Sequence, residues 1–76
     1  NPATASTTLA FEFPADGWAE INLFNANGQM VQAVFSGNAQ RGTNTYPVEM
    51  RSLPAGIYFL TVHSEKHSAA VKVMKV

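Results

Sequence analysis

Along most of the chain apolar and polar residues alternate with a period of two. Leu9, Phe11 and Phe13 fall on one side and Thr8, Ala10 and Glu12 on the other, as in a strand with one face buried. Pro14, Ala15, Asp16 and Gly17 end that run with turn-forming residues. Residues 18–25 resume the alternation, setting Ala19, Ile21 and Leu23 against Glu20, Asn22 and Phe24. Asn27-Gly28 between two apolar runs predicts a hairpin, Gly28 supplying the positive φ of a tight turn. Residues 29–35 return as a strand that is apolar on both sides, Met30 and Val34 against Val31, Ala33 and Phe35. The pattern does not assign its core face. Residues 36–42, with two glycines and Asn38, read as a loop.

The second half repeats the pattern. Asn44, Tyr46, Val48 and Met50 alternate with Thr45, Pro47 and Glu49, and Pro47, lacking an N–H, suits an edge strand. Residues 51–56 form a turn in which Leu53 folds back onto the core. The most β-prone run follows at residues 57–63, with Tyr58, Leu60 and Val62 on one face and Ile57, Phe59 and Thr61 on the other, a central strand. Residues 64–68 are a polar turn, and residues 69–76 close the chain as a strand. Six strands result, and residues 1–6 supply a seventh or the end of a linker. No window of helical length carries a sustained apolar stripe. A single open sheet would leave one face wet, yet several strands are apolar on both sides. The predicted fold is an all-β sandwich of six to seven antiparallel strands in two sheets.

Composition narrows the picture. A chain of 76 residues has length for one domain, spanning 1–76. It is 46% hydrophobic and 13% charged, where globular domains average about 25% charged, so it carries the material for a core. Five Lys and Arg balance five Asp and Glu, leaving no basic field for nucleic acid. The charges are unevenly placed: Glu12, Asp16 and Glu20 lie in the first half, and Arg41, Arg51, Lys66, Lys72 and Lys75 in the second. A folded sheet would lay these halves across one another; the other reading is a polar recognition surface near the C-terminus. Without cysteine there is no disulfide, thiolate nucleophile or cysteine-bound metal. No apolar stretch approaches the roughly 20 residues of a transmembrane helix.

Catalytic chemistry is hard to assemble from these residues. His63 and His67 flank a polar turn with Glu65 between them, a weak metal trio at best and more simply two solvent-facing histidines. Glu12 and Glu20, on strands joined by a short turn, could be neighbours, but each sits on the polar face of its strand. No nucleophile elbow, phosphate loop or zinc signature occurs. The expectation is no enzyme and no cofactor. Trp18, opening a strand after Asp16-Gly17, could expose its ring to stack on a sugar; ordinary packing is the simpler role. Tyr46 and Tyr58 read as core residues whose hydroxyls reach a partner.

The order of landmarks then becomes informative: Asn1-Pro2, the hairpin at residues 25–31, Leu53-Pro54-Ala55-Gly56-Ile57-Tyr58, and a lysine-bearing terminal strand at residues 71–76. This order resembles the C-terminal sorting domain of type IX secretion cargo, the Por secretion tail of Bacteroidota, over essentially the whole chain. The resemblance implies an Ig-like sandwich of about seven strands and a secreted or cell-surface destination. It implies a non-catalytic signal read by an outer-membrane translocon and then removed by a sortase-like peptidase, with the cargo domain upstream in the same precursor. The carried-over recognition candidates are Lys72, Lys75 and Val76. Gly28, Leu53, Pro54, Gly56 and Tyr58 are structural landmarks. Capture of the final strand by backbone pairing, aided by Lys72 and Lys75, is the expected mode of reading. The rivals are a carbohydrate-binding module using Trp18 and an Ig-like spacer. Open β edges would also let the isolated domain dimerise by strand addition.

Overall fold

The structure, a computed structural model, describes residues 2–3, 6–65 and 67–76. Asn1, Thr4, Ala5 and Lys66, which figure in the sequence reading, lie outside the described residues. The strands are β1 (Pro2–Ala3), β2 (Ser6–Phe13), β3 (Gly17–Asn25), β4 (Met30–Ala39), β5 (Gly42–Glu49), β6 (Gly56–Ser64) and β7 (Ser68–Lys75). They form a five-stranded sheet in the order β1-β7-β6-β3-β4 and a two-stranded sheet of β2 and β5. The chain is therefore all-β and sandwich-like, with one core fed by both sheets.

The alternation selects that core. Ala19, Ile21 and Leu23 of β3 and Tyr58, Leu60 and Val62 of β6 are buried against Phe13 of β2 and Tyr46 and Val48 of β5, with Met50 just beyond. Ile21, Leu23 and Met50 are fully enclosed, each contributing about 1.5–3 kcal/mol of burial. Leu53 packs against the cluster from the turn, as expected. β6 lies between β3 and β7, so the most β-prone run is indeed internal.

The ambiguous face of β4 has a geometric cause. Its ladder with β3 slips between Ile21 and Asn22 and again between Leu23 and Phe24, passing over Val34 and Val31. Such slips re-aim side chains, and both valines pack on the core beside Phe35. The segment read as a loop at residues 36–42 is mostly strand. β4 runs on to Ala39, which is buried, and only Gln40 and Arg41 separate it from β5. Tertiary pairing with β3 overrides the local weakness of Gly37 and Asn38.

Two further expectations are corrected. β2 pairs with β5 and not with β3, so residues 14–16 cross between sheets and Glu12 and Glu20 belong to different sheets. Pro14, without an N–H, cannot extend the ladder, and the Asp16 Oδ1 accepts a 2.5 Å hydrogen bond from the Arg41 N–H of the other sheet crossing. Nor are all strands antiparallel: β1 runs parallel to β7, Pro2 opposite Met74 and Ala3 opposite Lys75. Short hairpins force antiparallel neighbours, and no hairpin links these two ends of the chain.

The β3–β4 hairpin is built as predicted around Gly28, whose φ is 84°. The Gly28 N–H donates to the Asn25 carbonyl at 3.0 Å. Asn25 adds an Asx turn, its Oδ1 accepting from the N–H groups of Asn27 at 3.0 Å and Gln29 at 2.9 Å.

Candidate recognition surface

The turn at residues 50–56 is clasped from two neighbouring strands. Leu53 N–H donates to the Met50 carbonyl at 3.1 Å. From β6, Tyr58 turns its ring into the core and donates its hydroxyl to the Pro54 carbonyl at 2.5 Å. From β7, the Lys75 ammonium donates to the Arg51 carbonyl at 3.1 Å and also to the Leu53 carbonyl. Gly56 then enters β6 at φ 152°, a conformation that side chains seldom adopt. The block from Leu53 to Tyr58 is thus a local fold lock. Lys75 belongs to it: its charge is held by backbone carbonyls inside the chain.

Lys72 is placed differently. It is exposed on β7 opposite Phe59 of β6, which pairs with Phe24 of β3, which pairs with Met30 of β4. These four residues make one row across the face of the large sheet that points away from the core. Ile57 and Met74, also paired, add a second row beside it. Ile57, Phe59 and Met74 are 40%, 38% and 46% exposed. Further along, the same face becomes polar, with Asn22 opposite Thr61 and Glu20 opposite His63. The apolar patch therefore sits at the end nearest the clasped turn, with Lys72 at its margin and the exposed Val76 beyond β7.

The sequence pattern did not single out Ile57, Phe59 and Met74 as surface residues. Apolarity on both faces of β6 reads, from sequence alone, as packing between two sheets. The two-stranded sheet covers one face only, so the outward residues of β6 and β7 stay exposed. Their signal was that second apolar face itself.

Trp18 lies elsewhere, exposed at the start of β3. With Asp16, Glu65 and His67 it lines a hollow between the β2–β3 crossing and the β6–β7 turn. His63 is exposed on the outward face, and no cluster of three metal-ligating side chains occurs among the described residues. Tyr46 packs its ring 4.8 Å from that of Phe35, and burial raises its hydroxyl pKa above the usual 10.0.

No curated protein and no solved structure matches this chain. A family model described as the secretion system C-terminal sorting domain matches residues 1–76. The family's role is that of a signal and not of a catalyst. The chain belongs to the secretion system C-terminal sorting domains, non-catalytic signals that direct their cargo through the type IX translocon to a secreted or cell-surface destination.

Proposed function

We propose that the translocon reads this domain through the outward face of β6 and β7, where Phe59, Ile57 and Met74 form an apolar contact and Lys72 a charged one. The observation that carries the reading is the exposure of these residues on a face that the second sheet does not cover. Exposed apolar patches rimmed by polar groups mark interaction surfaces, and the charge fixes register more than it adds affinity. Val76 extends the contact beyond the strand. Lys75 acts indirectly, by holding residues 50–56 against the strand that is read. Residues 1–76 serve as a single Ig-like unit, and a sortase-like peptidase acts on the chain joining it to the cargo.

The test is export of a reporter fused ahead of residues 1–76, in a bacterium that has the system, comparing wild type with Lys72→Glu and with Phe59→Thr. Both substitutions keep strand-compatible residues at exposed positions. The reading expects export to fall while the purified domains melt within a few degrees of wild type. Export at the wild-type level from both variants would refute it.

A second reading has one observation in its favour: Trp18 is exposed beside a hollow carrying Asp16, Glu65 and His67, the combination of ring and polar groups that a sugar stacks against. Affinity electrophoresis in soluble glycans separates the readings. A retardation lost in Trp18→Ala would support glycan contact, and equal mobility of both proteins would dismiss it.

A further inference from the structure

Among the described residues β1 (Pro2–Ala3) pairs with β7 at Met74 and Lys75. The pairing is parallel with a constant offset of 72 positions, since Pro2 faces Met74 and Ala3 faces Lys75. Followed backwards along the chain, the same offset sets the five residues ahead of Asn1 opposite Lys72, Val71, Ala70, Ala69 and Ser68.

That stretch of β7 is vacant on the same side. Between Ser68 and Val73 its edge away from β6 has no strand partner among the described residues. Its side chains are exposed on both faces from Ser68 to Lys72. An open edge of this kind presents unpaired N–H and C=O groups that another strand can take up. A sorting domain is joined to its cargo by the chain that leads into β1, and that chain already runs in the direction the offset requires.

We infer that the segment joining cargo to domain lies along β7 as a parallel strand, continuing β1 backwards over residues 68–72. The linker's backbone then closes the edge, and its alternate side chains join the outward face beside Lys72 and Ala70. The inference depends on the chain's register and not on the outward-face reading, and its test needs no translocon. A second copy of the domain could compete for the same edge, and the test distinguishes the two occupants.

The experiment is amide hydrogen exchange on two proteins at micromolar concentration: residues 1–76, and the same domain carrying the ten residues that precede it in its own precursor. Exchange of the alternate amides of residues 69–73 that face away from β6 should slow by about tenfold in the longer protein. The amides of β6 should be equally protected in both, reporting an intact fold. Substituting proline at the two linker positions opposite Val71 and Ala69, which are out of phase with Pro2 and so turn their N–H groups toward β7, should restore fast exchange. Equal exchange at residues 69–73 in both proteins would overturn the inference. So would a slowing that scales with protein concentration, because a second copy would then be the occupant.

Discussion

Lys75→Met separates the two roles that a lysine in the terminal strand could have. In the structure its ammonium donates to the carbonyls of Arg51 and Leu53, and methionine keeps most of the aliphatic stem while deleting the donor. Hydrogen bonds to charged groups are worth about 1.5–3 kcal/mol in favourable settings. Lys75 is half-exposed, so water competes for both partners and the lower end applies, about 1–2 kcal/mol for the pair. In a domain of this size each kcal/mol moves the melting temperature by about 4–8 °C, which gives a fall of about 5–15 °C. Thermal denaturation followed by circular dichroism measures it, and amide exchange at Leu53 reports the turn directly. Tyr58→Phe removes the second clasp, and a double-mutant cycle should show coupling of about 0.5 kcal/mol or more, because both clasps hold one turn. A Lys75→Met protein that melts within about 2 °C of wild type, with unchanged exchange at Leu53, would refute the clasp and return Lys75 to the recognition surface.

Three other outcomes follow from the packing. Met50→Ala, at a fully enclosed site, should cost about 2–5 kcal/mol in urea denaturation, whereas Met74→Ala on the exposed face should cost far less; equal costs would contradict the assignment of faces. Gly28→Ala should cost about 1–2 kcal/mol because alanine is strained at φ 84° although open space surrounds it. Gly28→Asn should recover part of that loss in the same denaturation assay. Burial raises the Tyr46 pKa above 10.0, so over the alkaline range the folded chain keeps a proton that the unfolded chain loses. Stability should therefore fall as pH rises past 10.0 and go on falling up to the folded-state pKa. Denaturation midpoints across that range should fall less steeply in Tyr46→Phe than in wild type, and identical slopes would remove Tyr46 as a cause.

The inward residues were legible because burial of one strand face imposes a period of two. Ala19, Ile21 and Leu23, or Tyr58, Leu60 and Val62, need no knowledge of their partners to be placed. Sheet membership is a different kind of information. Nothing local in residues 14–17 distinguishes a hairpin from a crossing between sheets, so the sequence leaves Glu12 and Glu20 as possible neighbours although they lie in different sheets. β4 resisted for a related cause, since its two register slips turn Val31 and Val34 inward out of phase. The block from Leu53 to Tyr58 was recognisable as a landmark, but its purpose depends on Lys75, which lies 22 residues from its acceptor Leu53. Chain pattern alone cannot reveal a hydrogen bond over that separation. Ile57, Phe59 and Met74 show the opposite case. Their apolar character is legible in the sequence, whereas their exposure follows from the second sheet lying on the other face.

The most direct measurement of the central claim is secretion of a foreign, cytosolically folded reporter carrying residues 1–76 at its C-terminus, in a type IX-competent bacterium and in its translocon-deficient mutant. An export signal should be appended at the reporter's N-terminus, so that only the outer-membrane step is tested. The account predicts reporter in the medium or on the cell surface of the competent strain and retention in the periplasm of the mutant. Periplasmic retention in both strains, with the domain shown to be folded, would contradict it.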